Sequence, residues 1–131
     1  MIQLAFDLMG EPAGFAADDA PPAAAPSIDR AHLTRMTYGD RSLERELLEL
    51  FDRQATILLA RMRDSDAAAL AMLAHTLKGS AVGVGATGVA EAAAAAEDAA
   101  NRPPSERRAA IGRLAAAVDR VRPEITALLE G

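Results

Sequence analysis

Cysteine is absent from these 131 residues, which excludes disulfides and thiolate metal sites and suits a reducing compartment. Aromatic residues make up only 3% although 50% of the chain is hydrophobic. The apolar content is therefore mainly alanine and leucine, β-branched strand formers are scarce, and helices packed closely through small side chains are favoured. A basic stripe is missing too, and with a formal charge of −5 attachment to nucleic acid or to an anionic membrane is not expected. No run approaches the roughly 20 apolar residues of a membrane-spanning helix. Met1 to Met9 has no positively charged start and contains Asp7, which makes it a poor signal peptide. The expectation is a soluble, cytoplasmic protein.

What is present reads as one domain behind an arm, the length being too short for two independent cores. Gly10 to Pro26 is a mixture of Ala, Pro, Gly and Asp without periodicity, so residues 1–26 read as a flexible Ala/Pro-rich arm. Its apolar head, Met1 to Met9, either docks on the body or is disordered, and the residues leave both open. Residues 27–131 form the body. A short helix begins after Ser27 as N-cap, runs through Ile28, His32, Leu33 and Met36, and stops at Tyr38 and Gly39.

Asp40 or Ser42 caps a long helix, Arg41 to Arg63, whose core face is read as Leu43, Leu47, Leu50, Phe51, Ile57, Leu58 and Met62. Its other face, Glu44 to Glu46, Glu49, Asp52 and Arg53, reads as solvated charge. Asp64, Ser65 and Asp66 turn the chain into a third helix with Leu70, Leu73, Leu77, Ala81 and Val84 in register. An Ala-rich fourth helix, Thr87 to Ala100, ends before Pro103 and Pro104. Ser105 caps a fifth, with Ile111, Leu114, Val118, Val121, Ile125 and Leu128 apolar and Pro123 as a kink or stop. The fold class is all-α: an antiparallel up-and-down four-helix bundle with a short additional N-terminal helix.

The third helix carries the chemistry. At 100° per residue, His75 projects on the order of 160° from the centre of its apolar stripe, and so faces out. Ala71 and Met72 lie one turn before it, Lys78 and Gly79 one turn after, and Val82 two turns after. A smooth, mostly apolar patch on an acidic protein suggests a docking site formed by Ala71, Met72 and Val82. A lone surface histidine on a helix is usually idle, but this one has chemically suitable neighbours. A neutral imidazole has a free lone pair near neutral pH and attacks phosphorus without a separate strong base. Lys78 offers an ammonium to phosphoryl oxygens. Gly79 leaves the approach open, at about 1 kcal/mol relative to alanine inside a helix.

The run Ala74-His75-Thr76-Leu77-Lys78-Gly79-Ser80, continuing to Val84-Gly85-Ala86, closely resembles the signature of histidine phosphotransfer (HPt) domains of two-component phosphorelays. That pattern is a histidine, a lysine three residues on, a glycine next and a second glycine ten residues after the histidine; His75, Lys78, Gly79 and Gly85 occupy those places. Gly39-Asp40 leading into Glu46 to Phe51 looks like the start of the family's second helix, and the resemblance spans about Ser27 to Glu130. It implies that His75 takes a phosphoryl group at Nε2 from the aspartyl phosphate of one receiver domain and gives it to the aspartate of another. It also implies a carrier rather than an enzyme, with receiver domains of response regulators or hybrid kinases as partners. No cofactor of its own is expected, since the receiver supplies the Mg²⁺, and a monomer is expected because the histidine face has to be free. Val89 stands where the family commonly has leucine, and Gly83 has no functional account.

Competing signals are weaker. Gly83-Val84-Gly85-Ala86-Thr87-Gly88 matches a dinucleotide fingerprint in letters, but an apolar helix precedes it where a strand is required. Lys78-Gly79-Ser80 is not a P-loop, whose glycines come before the lysine. His75 has no carboxylate at i+4 for a metal, His32 reads as packing or surface, and Ser80 as bonding back to a carbonyl of the preceding turn. Two other functions stay in view: a bundle that docks on a receiver or kinase without being phosphorylated, and the histidine-bearing dimerisation domain of a sensor kinase. The first has no need of a nucleophile. The second commonly has a proline close behind its histidine, absent here.

Overall fold

Three aspartates set where the first helices begin. Asp29 Oδ1 accepts from the backbone N–H of His32 at 3.0 Å, Asp40 Oδ1 from Ser42 and Leu43 at 2.9 and 3.1 Å, and Asp66 Oδ1 from Ala69 at 2.9 Å. Each supplies an acceptor to an orphan N–H of the first turn, an effect of about 1 kcal/mol. In this computed structural model, which describes residues 27–131, the caps open α1 (Arg30–Met36), α2 (Arg41–Arg63) and α3 (Ala67–Val84). The arm and its apolar head, 1–26, lie outside the described residues. Ser27 is therefore not the first cap; Asp29 holds that place because its carboxylate, two residues on, reaches the free N–H.

α4 (Thr87–Asp98) runs into a 3₁₀ turn, Ala99–Asn101, and α5 spans Pro104–Glu130. Ser105 does not cap α5: the helix has already begun at Pro104, whose missing N–H and fixed φ suit the first helical position. Pro123 neither ends nor shortens α5. Its ring leaves the Asp119 carbonyl without an intrahelical partner, and both residues are on the exposed face of the helix.

α2 packs on α3 and α5, α4 packs on the same two helices from the other side, and α1 lies against α3. The chain is thus the antiparallel four-helix bundle with a short N-terminal helix. Phe51, Leu48, Met62, Leu70, Leu77 and Leu114 fill the centre, each contributing roughly 1.5–3 kcal/mol of burial. α3 and α4 pack on one another, and among the buried residues they contribute are Ala74, Ala81, Ala90, Ala93 and Ala96. So small a set of side chains lets the two backbones approach, and that closeness brings a side chain of α4 over α3 at the site described below.

α1 is pinned from both ends of the sequence. Ser27 and Ile28 donate backbone N–H groups to the Glu124 carboxylate of α5, at 2.6 and 3.2 Å, and Asp29 donates to the Gly85 carbonyl at 2.8 Å. Ile28 forms an isolated bridge with Ala86 and is buried. α3 is long and apolar enough by composition to cross a membrane, contrary to the expectation that no segment comes close. Five of its residues, Leu70, Ala74, Leu77, Ala81 and Val84, are nevertheless buried in the bundle, where α3 packs on α2 and α4, and Lys78 interrupts the run.

The core face of α2 differs from the sequence reading. Leu48, Phe51, Ala55, Leu58, Leu59 and Met62 are buried, while Leu43, Leu50 and Ile57 stand exposed. Leucines and isoleucine occupy two neighbouring stripes of this helix, and spacing alone merges them into one broad face. In α3, Ala74 takes the buried place expected of Leu73, which is only half-buried.

Candidate functional site

His75 stands on the outer face of α3 with 66% of its side chain exposed. Lys78 lies on the same side, one turn on. The residue that joins them comes from α4: Glu97 places Oε2 3.1 Å from His75 Nδ1 and Oε1 3.1 Å from Lys78 Nζ. One carboxylate thus bridges both groups, with Glu97 30% and Lys78 34% exposed.

Partial desolvation pushes the Glu97 carboxyl up, but the hydrogen bond and charge of Lys78, joined by His75, outweigh it and hold the group below its ordinary value of 4.5. The sign follows directly. A lowered carboxylate pKa stabilises the folded chain at pH values above 4.5, and the contribution is lost as pH falls through the lowered value. Glu97 is a carboxylate throughout the neutral range, so its oxygens only accept. His75 Nδ1 must then carry the ring hydrogen when the imidazole is neutral, which leaves the lone pair on Nε2.

Gly79 is helical, and a Cβ built there meets nothing within 4 Å. Nothing among the described residues requires a glycine at that position. Gly79→Ala is therefore expected to raise unfolding free energy by about 1 kcal/mol through helix propensity, measured by urea denaturation; a loss of stability would reveal an internal constraint. Gly85 is different. It ends α3 at φ +80°, with Ala86 N–H returning to the Ala81 carbonyl at 2.8 Å and Gly85 N–H to Val82 at 3.2 Å, a Schellman closure.

Of the proposed docking residues, Met72 is 65% and Val82 43% exposed, whereas Ala71 is half-buried and packs against the core. The apolar surface continues away from Glu97, onto α2 and α1. Met36, Leu47, Leu50, Gln54, Ser80 and Gly83 line an open groove of roughly 210 Å³, and Leu50 and Met36 are 51% and 50% exposed. Ser80 does not bond back to its own helix; its hydroxyl donates to Gln54 Oε1 at 2.6 Å, tying α3 to α2 at the groove floor. The site is a nucleophile with an ion pair on its α4 side and an apolar groove on its α2 side.

Sequence reasoning missed Glu97, Leu50 and the α2 half of this face. Glu97 left one signal. It and Asp98 sit in the last turn of α4, where the helix dipole disfavours anions, and a carboxylate held there calls for a cation from elsewhere. His32 is half-buried on α1, and its Nε2 has no partner among the described residues. Gly83 to Gly88 spans the end of α3 and the start of α4, so the dinucleotide fingerprint has a helix where it needs a strand.

A family model described as Hpt domain matches residues 42–128, well over half of the chain. Comparison with curated proteins and with solved structures gave no significant match.

Proposed function

This chain belongs to the Hpt domain family, and on that premise we propose that it carries a phosphoryl group between receiver-domain aspartates on His75. The observation that supports this most is the bridge from Glu97 to His75 Nδ1 and Lys78, because it directs the imidazole lone pair to Nε2. In the proposed step Nε2 attacks the phosphorus of an aspartyl phosphate. The N–P bond forms as the P–O bond to the aspartate breaks, and the carboxylate leaves with its electron pair. The Nδ1 hydrogen stays in place, and the positive charge that develops on the ring faces the Glu97 carboxylate. Return to a second receiver is the same step reversed.

Lys78 swings from Glu97 toward the new phosphoryl oxygens, which take over as its anionic partner. The chain supplies a nucleophile, a cation and a surface; the receiver brings the acidic pocket and the Mg²⁺, so the carrier needs no cofactor of its own and catalyses no net reaction. Met72, Val82 and the groove around Leu50 and Gly83 form the docking face, and Gly79 lets the partner's backbone close on His75. A cytoplasmic location follows, where receivers of response regulators and hybrid kinases reside.

The test is incubation with a receiver phosphorylated on its aspartate. An acid-labile, base-stable phosphoryl label on this chain is the expected result, and absence of any label while the receiver retains its own would overturn the reading. Glu97→Gln should keep acceptance but slow it by about 10- to 100-fold, on the scale of losing an orienting carboxylate behind a histidine. Single-turnover transfer measured against receiver concentration checks this; an unchanged rate at saturation would mean that Glu97 does not act on the ring.

A further inference from the structure

We propose that α2 also pairs with α2 of a second copy of this chain, antiparallel about a two-fold axis. The proposal rests on the surface of α2 alone and not on the phosphoryl reading. Leu43, Leu50 and Ile57 are 37%, 51% and 52% exposed, and Leu47 and Gln54 beside them are half-buried. Positions 43, 47, 50, 54 and 57 alternate steps of four and three, the spacing of a helix–helix seam. The buried stripe Leu48, Phe51, Ala55, Leu58 and Met62 has the same alternation and packs inside the bundle. α2 thus carries two seams, the second touching α3 only along one edge, where Gln54 meets Ser80, while Leu43, Leu50 and Ile57 stay exposed.

Charge complementarity points to a second copy as the occupant. On the solvent side the seam is flanked by Glu46 and Arg53, both exposed, and neither is in an ion pair among the described residues. An antiparallel register that sets Leu47 against the second copy's Leu50, and Leu43 against its Gln54, also brings Glu46 opposite Arg53 twice, once on each side of the axis. Self-complementarity of this kind is what an isologous two-fold interface requires. A parallel pair would stack Arg61, the next residue of the stripe, on its own copy.

So short a seam falls below the roughly 800 Å² per partner of a stable complex, so a weak dimer is expected, with Kd between about 1 µM and about 1 mM. The groove of Leu47, Leu50, Ser80 and Gly83 lies on this face, its α3 residues about one to two helical turns beyond His75. Pairing would therefore cover the surface assigned to the receiver, and the free chain would have to part before docking.

Sedimentation velocity of the full chain at rising concentration tests the proposal. Reversible monomer–dimer exchange is expected, abolished by Leu50→Lys. Glu46→Arg and Arg53→Glu should each weaken it by about 10-fold, as two symmetric pairs become repulsive, while the double variant returns close to the original constant. Circular dichroism verifies that these exposed changes leave the bundle folded. A chain that stays monomeric throughout, a Leu50→Lys protein that still dimerises, or a double variant no better than the singles would each overturn it.

Discussion

His75→Gln is expected to remove phosphoryl acceptance completely while leaving the bundle intact. The side chain is 66% exposed and its hydrogen bond is to Glu97; glutamine keeps a donor for that carboxylate, so the change in stability should stay within about 0.5 kcal/mol. What disappears is the lone pair. A carboxamide nitrogen is not a nucleophile toward phosphorus, and no other group at the site replaces it, because Lys78 is an ammonium paired with Glu97. The measurement pairs a melting curve with the label assay on a phosphorylated receiver. Labelling of the variant at the normal rate would move the acceptor elsewhere and end the proposal, and a collapsed melting curve would mean that His75 holds the fold.

The part of the site that is legible in the sequence is the part that lies on one helix. His75, Lys78 and Gly79 are within one turn of each other, and the 3.6-residue repeat fixes their common face before any packing is known. Glu97 belongs to another helix 22 residues away, and its place over His75 depends on how closely α3 and α4 approach. Buried alanines on both helices, Ala74, Ala81, Ala90, Ala93 and Ala96, favour a close approach through the absence of side-chain bulk, which a periodicity reading does not measure. The awkward position of an acid at the end of α4 is the only local hint.

The same division holds for the fold. The boundaries of α2 and the break at Pro103-Pro104 rest on caps and prolines, which act over three or four residues and are legible locally. Leu43, Leu50 and Ile57 read as core when hydrophobicity alone is counted; which of two apolar stripes faces inward is decided by where α3 and α5 stand. Pro123 shows a related effect. A proline in a helix interior costs about 3 kcal/mol, yet the segment beyond it stays helical, since Ile125 is buried and Glu124 accepts from Ser27 and Ile28. Tertiary contacts outweigh the local preference there.

Gly85→Ala should be the most destabilising single change among the motif residues, lowering unfolding free energy by about 2–4 kcal/mol. Two independent effects add. Gly85 has φ +80°, a left-handed conformation that costs an ordinary residue roughly 1–2 kcal/mol. A Cβ there would also stand 2.8 Å from the Asp29 carbonyl oxygen and 3.3 Å from Asp29 Cβ, and overpacking against backbone costs about 1–3 kcal/mol. The segment that must yield is the one that joins α1 to the bundle, because Asp29 N–H donates to the Gly85 carbonyl and Ile28 is buried beside Ala86. The variant should therefore lose α1 docking first, seen as faster amide exchange at Asp29, and should melt lower by about 10 °C or more. His75, Lys78 and Glu97 lie far along α3 and α4 from this corner, so the folded fraction should still accept a phosphoryl group at the normal rate. A Gly85→Ala protein as stable as the parent would show that the second glycine of the signature is needed for something other than the turn.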